Sequence, residues 1–221
     1  MTYSSVIYWQ KSIKKSTPQN ESNGGKMPTG LDEFAAADQM SSKVDIVFFG
    51  DSLTYYGDFA SVFPNKVVCN LGLRGDTIQG LIERVKQVQI LEPKLFFLMA
   101  GINDIGVLSE RKFEEVYKQL LWQISEYCPN VELVVQSLLP VNAVDFGRIS
   151  CNNEQIIQTN KIIQKISCQN GYEFIDLFYL YVNSGQLNRE MTCDGIHLKP
   201  NAYQTWYDTV ASVWFLKDVA L

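Results

Sequence analysis

Five short apolar runs limit what this chain can fold into: VDIVFF (44–49), KVVCN (66–70), KLFFLMA (94–100), VELVVQS (131–137) and YEFIDL (172–177). They read as near-continuous hydrophobic strands without apolar/polar alternation, the pattern of strands covered on both faces. Longer segments with helical spacing lie between them. Ile78, Leu81, Val85, Val88 and Leu91 recur at three and four, as do Phe113, Val116, Leu120 and Ile124, and then Ile156, Asn160, Ile163 and Ile166. A last helix is expected from about Asn201, just after Pro200, carrying Trp206, Val210, Val213 and Trp214. Parallel strands need crossovers, and helices supply them, so the pattern predicts an α/β fold in three layers around a five-stranded parallel sheet. Ligands of such sheets bind in the crevice beyond the carboxyl ends of the strands. Ser52 and Asn103 both follow such ends.

The 221 residues, 46% apolar, are enough for one substantial core. Residues 41–221 are expected to form it. Residues 1–40 read as an N-terminal extension: 12–30 is a polar connector rich in Ser, Asn, Gly and Pro, and LDEFAAADQM (31–40) is suited to a short helix over the domain. The net charge of −5 and the lack of a basic run beyond Lys14-Lys15 argue against nucleic acid or an anionic membrane as partner. The first twenty residues lack the apolar stretch of about 7–15 residues that a signal peptide needs. No segment approaches the roughly 18 apolar residues of a membrane span. The expectation is a cytoplasmic protein without stable membrane insertion, with secretion after signal removal left open, as is the choice between monomer and homodimer. Five cysteines without CxxC spacing read as free thiols, mostly buried.

Four short stretches carry chemistry. GDSLT (50–54) ends the first strand on a glycine, a carboxylate and a hydroxyl. In NLGLRGDT (70–77), Gly72 and Gly75 flank Arg74 ahead of a helix, and either glycine can turn its N–H toward a ligand. AGIND (100–104) offers the Asn103 amide, and CDGIHL (193–198) sets Asp194 three residues before His197. That histidine is the chain's only one, so imidazole base catalysis can come from nowhere else and a His-rich metal site is excluded. Cys193, Asp194 and His197 suit zinc by ligand type but lack motif spacing, so no metal is expected.

With these four stretches in this order, the chain resembles the GDSL, or SGNH, hydrolases, esterases and lipases with a flavodoxin-like fold. It is most similar to the branch with the platelet-activating-factor acetylhydrolase catalytic subunits and lysophospholipase- or acetylesterase-like bacterial proteins. Residues 50–53 match the GDS block, 75–77 the glycine block, 101–104 the GxND block and 194–197 the DxxH block. The resemblance implies Ser52 as nucleophile, His197 as base and Asp194 as the acid that orients it. It also implies an oxyanion hole from the Ser52 and Gly75 N–H groups and the Asn103 amide, with no cofactor. SLLP (137–140), Asn153 and Asn160 accompany these blocks.

Supporting roles are expected nearby. Asp51 bonds loop N–H groups around the turn, Asp76 is a first-turn acid favoured by the helix dipole, and Asp104 braces the loop carrying Asn103. The pair Tyr55-Tyr56 lines a pocket beside Ser52 or packs its loop, and Arg74 is placed to meet an acidic leaving group. The implied activity is hydrolysis of a small-molecule ester, with acetyl or other short acyl groups on a carbohydrate or small polar alcohol favoured. A lysophospholipase- or thioesterase-type long-acyl hydrolase is the alternative, followed by a non-catalytic flavodoxin-like binding module. A phosphate-ester role is disfavoured, since Asp51 and Asp76 oppose a dianion and neither loop has a lysine.

Overall fold

Both faces of the first strand, β1 (Ile46–Gly50), are covered, and all five of its residues are buried. The computed structural model describes residues 44–147 and 149–218. The expected extension and its helix over 31–40 lie outside them. The other strands are β2 (Val68–Gly72), β3 (Leu95–Met99), β4 (Glu132–Gln136) and β5 (Glu173–Ile175), each within two residues of its apolar run. All pair in parallel, in the order β2-β1-β3-β4-β5. That is the doubly wound flavodoxin-like order, which reverses direction beside β1 and opens a crevice at the carboxyl ends of β1 and β3.

The helices follow from their stripes. α1 (Ser52–Tyr55) is a single turn after β1, and α2 (Ile78–Arg84) follows β2 under the Thr77 cap, whose side chain accepts from Gly80 N. The expected continuous helix from Ile78 to Leu91 instead becomes a 3₁₀ helix over Val85–Leu91. Val85, Val88 and Leu91 are spaced strictly by three, which at three residues per turn keeps all of them on one edge, and all are buried. α3 (Glu110–Tyr127) buries Phe113, Val116, Leu120 and Ile124. After β4 come the short α4 (Ala143–Phe146) and then α5 (Asn153–Gln169), whose Asn152 cap and Gln155 form a reciprocal capping box.

Past β5, the turn α6 (Phe178–Tyr181) leads into a small antiparallel hairpin, β6 (Val182–Asn183) and β7 (Gln186–Leu187), which periodicity gives no sign of. Pro200 opens a 3₁₀ turn, and α7 (Tyr203–Asp218) seats Trp206 and Val210 in the core. Trp206 Nε1 donates to the buried Gln136 Oε1 at 2.6 Å, so the deepest ring of the last helix is fixed on the end of β4. Among the described residues, no helix is long and apolar enough to cross a membrane. Cys69, Cys128 and Cys151 are buried, Cys168 and Cys193 are exposed, and all five are free thiols.

Candidate active site

Gly50 hands the chain from β1 to Asp51, which caps α1: its Oδ1 accepts from Leu53 N at 2.9 Å. This sharp strand-to-helix exit leaves Ser52 as the first residue of the turn, over the carboxyl end of β1. Ser52 Oγ lies 2.9 Å from His197 Nε2, across 145 residues of sequence. On the far side of the ring, His197 Nδ1 lies 2.6 Å from Asp194 Oδ2. The carboxylate sets the tautomer: Nδ1–H donates to Asp194, Nε2 is left as an acceptor, and the Ser52 hydroxyl donates to it. Burial raises the Asp194 pKa, but bonds from the His197 ring and from the His197 and Ile196 N–H groups outweigh it and hold the carboxyl below its ordinary range.

The loop with Asp194 and His197 is built for this short span. Asp194 Oδ1 accepts from both Ile196 N (2.9 Å) and His197 N (2.8 Å). The buried Thr192 hydroxyl donates to His197 O and accepts from Gly195 N, closing the loop on itself. Gly195 has φ +86°, and a Cβ there would lie 2.7 Å from Asn142 O. The loop therefore docks closely against the segment after β4, where Asn142 N donates to Gly195 O at 2.8 Å. That segment is itself pinned by buried amides. Asn160 bonds Leu138 N and O, and Asn153 bonds Val141 N and O.

The other groups converge from β2 and β3. Gly75 has φ +73° with open space where a Cβ would be, so backbone conformation alone selects glycine there. Asn103 Nδ2 donates one hydrogen to Asp76 O at 2.7 Å, which ties the Asn103 loop to the Gly75 loop. An amide nitrogen has a second hydrogen, and that one can serve a ligand. Asp104 Oδ2 accepts from Ile78 N at 3.0 Å, so its brace spans from β3 to the start of α2. Burial pushes its pKa up to about 6. Arg74 is exposed beside Gly75.

One expectation needs correction. Asp76 is not in the first turn of α2; it precedes the Thr77 cap and accepts from Arg84 Nε at 2.7 Å. Arg84, buried at the other end of α2, also donates to Leu71 O and Gly50 O and stacks over Phe49, 4.1 Å from the ring centroid. One guanidinium thus joins the ends of β1 and β2 to the Gly75 loop. Of the tyrosine pair, Tyr56 adjoins the imidazole, 5.5 Å between centroids at 86°, with Tyr55 edge-on behind it. Nothing in the repeat YY distinguishes them; the four-residue turn from Asp51 does. Thr192, Asn142 and Arg84 are the remaining residues that hold the site and that the motifs do not contain. Among the described residues no cluster of His, Cys, Asp and Glu suits a metal ion.

The model of the GDSL-like Lipase/Acylhydrolase family matches residues 48–205, from β1 into the last helix. Over 185 residues the chain is 28% identical to an N-acylneuraminate cytidylyltransferase of Escherichia coli O18:K1:H7 (strain RS218 / NMEC), covering 79% of this chain and 41% of that protein. It is 26% identical over 132 residues to the human platelet-activating factor acetylhydrolase IB subunit alpha1, covering 57% of each. The chain thus spans about half the length of these relatives. A solved structure from Streptococcus pneumonia, named for a platelet activating factor, superposes with a TM-score of 0.74 at 22% identity, covering 95% of this chain and 94% of that one. The likeness shows a shared fold.

Proposed function

Because the chain belongs to the GDSL-like lipase/acylhydrolase family, we propose that it hydrolyses carboxylic esters with Ser52 as nucleophile, His197 as general base and Asp194 as the orienting acid. The observation that carries this reading is the unbroken hydrogen-bonded line from Ser52 Oγ through His197 to Asp194. Ser52 attacks the ester carbonyl while its proton passes to Nε2, and Asp194 stabilises the imidazolium that forms. The oxygen that becomes negative is received by the Ser52 and Gly75 N–H groups and the second hydrogen of the Asn103 amide. His197 then protonates the leaving alcohol, and water repeats the cycle on the acyl-enzyme.

Asn103→Ala is expected to lower kcat by about 10²–10³-fold with a smaller effect on KM, because the amide serves a charge that exists only after attack. Steady-state kinetics on one soluble ester checks this; equal losses in kcat and in substrate affinity would make Asn103 a ground-state binding group.

We extend the reading to short acyl groups on a carbohydrate or small polar alcohol. Openness supports this: Gly75 and Asn103 are exposed, and the His197 and Asp194 side chains are 35% and 52% exposed. Each methylene of a long acyl chain gains about 0.8 kcal/mol only where apolar surface covers it. The neighbouring segment from Val141 to Asn153 is tied down by Asn142, Asp145 and Asn153, and its sequence, VNAVDFGRISCNN, has no continuous apolar run to line a long chain. The experiment is a series of esters of one alcohol from acetate to palmitate. The expected kcat/KM is highest at two to four carbons, roughly tenfold or more above eight carbons; a maximum at twelve or more would select the long-acyl alternative.

A further inference from the structure

Asp51 stands next to the nucleophile, yet it is only 1% exposed and its second carboxyl oxygen, Oδ2, has no hydrogen-bond partner among the described residues. Oδ1 has one, Leu53 N. Thr54 Oγ1 on the same turn is also buried without a partner, so no donor there answers a full negative charge. The charged and titratable groups around Asp51 come from every neighbouring loop. His197 faces it from the acid-base loop, Asp76 from the loop after β2, Asp104 from the loop after β3, and Tyr203 from α7. Tyr203 is itself committed, donating to Leu53 O at 2.7 Å. The one guanidinium in this buried group, Arg84, is already bonded to Asp76 Oδ2, Leu71 O and Gly50 O. Three buried carboxyls therefore share one cation, and that cation is paired with Asp76.

We propose that Asp51 is a positioning residue that works as an un-ionised carboxylic acid: its Oδ1 shapes the turn presenting Ser52, and its neutrality keeps negative charge away from the oxyanion. An ionised carboxylate with an unpartnered buried oxygen costs several kcal/mol, whereas the acid form removes the charge and keeps the acceptor for Leu53 N. The field acts in the same direction. Burial is the main cause, with Asp76 and Asp104 adding repulsion against the relief from Leu53 N–H and His197, and the carboxyl is pushed up to about 7.

This has a linkage consequence. In the unfolded chain an aspartate loses its proton near pH 4. In the fold Asp51 keeps it until about pH 7. Between these limits the folded state binds more protons, so Asp51 makes stability fall as pH rises, and the loss levels off above the folded pKa. Asp51→Asn keeps the acceptor and the shape but has no proton to lose. Its melting temperature relative to wild type should therefore climb from pH 4 to pH 7 and then stay level. Only the kinetic consequence rests on Ser52 being the nucleophile. Once ionised, Asp51 opposes the developing oxyanion, so wild-type kcat should decline by roughly threefold to tenfold from pH 7 to 9, a decline absent from Asp51→Asn.

The experiment combines infrared difference spectroscopy, thermal unfolding and ester kinetics across pH 4 to 9 on wild type, Asp51→Asn and Asp104→Asn. The expected result is a protonated-carboxyl band in wild type that is present at pH 6 and titrates away near pH 7, persists in Asp104→Asn and is missing from Asp51→Asn, where only the Asp104 band that titrates near pH 6 remains. A wild-type spectrum without that band at pH 6 would overturn the proposal. So would a melting-temperature difference, Asn minus Asp, that shrinks as pH rises, or an alkaline decline in kcat that survives in Asp51→Asn. If Asp51→Asn does not fold, wild type and Asp104→Asn decide: a band near pH 7 that survives in Asp104→Asn supports the proposal, and its absence defeats it. The infrared and unfolding results are independent of turnover, so they separate a failure here from a failure of the esterase reading.

Discussion

Ser52→Ala lowers kcat by about 10⁴-fold or more on any ester the protein turns over while the fold stays in place. The size of the effect follows from the role: without Oγ there is no acyl-enzyme, and only the oxyanion donors remain to assist direct attack by water. Stability is spared because the hydroxyl holds nothing else up. The cap of α1 belongs to Asp51, and among the described residues the one side-chain bond of Ser52 is to His197. The ring left behind is partly exposed, so water replaces the lost partner. Melting temperature is expected to move by a few degrees at most, on the scale of a surface hydrogen bond. Retention of a tenth of the wild-type kcat would remove Ser52 from the mechanism.

The second large effect belongs to the base and its acid. His197→Ala should cost about as much as Ser52→Ala, because residues acting as one unit fail together. Asp194→Asn should cost roughly 10³–10⁴-fold, since an amide cannot hold the ring in the tautomer that leaves Nε2 free. The two differ in the pH profile. An imidazole base must be neutral to take a serine proton, so the proposed mechanism gives kcat/KM an acid limb. Asp194→Asn keeps the imidazole and so should keep an acid limb, whereas His197→Ala should abolish it. A rate profile from pH 4 to 10 on one short-chain ester, with folding verified at each pH, makes the comparison. A limb that persists unchanged in His197→Ala would assign the base to another group.

The strands were legible because strands covered on both faces cannot alternate, and β1 and β3 read as IVFFG and LFFLM without a break. The order of the four motifs was legible for a related reason. A doubly wound sheet gathers the loops at its carboxyl ends, so residues far apart in sequence meet once the strands are placed. What escaped is what depends on side-chain reach. Arg84 looks like an ordinary last-turn cation of α2, yet it turns inward to bond two strand ends and Asp76. Asn160 left a trace: an amide on the buried stripe with Ile156, Ile163 and Ile166 must find partners, and it finds Leu138 N and O. Asn142, whose backbone N–H holds the loop between Asp194 and His197, had no such trace, because it follows SLLPV in a segment without period. The hairpin of β6 and β7 was hidden too, since strands of two residues are too short to show a period.

The central claim, that a serine positioned by β1 is the nucleophile of this chain, is tested most directly by covalent capture. The wild-type protein is incubated with a serine-reactive fluorophosphonate at neutral pH, and the product is analysed by intact mass and by peptide sequencing. The expected result is one phosphonyl group per chain, bonded to Ser52, with loss of ester hydrolysis in step with labelling and no labelling of Ser52→Ala. A label on another residue, or full labelling with hydrolysis undiminished, would contradict the assignment.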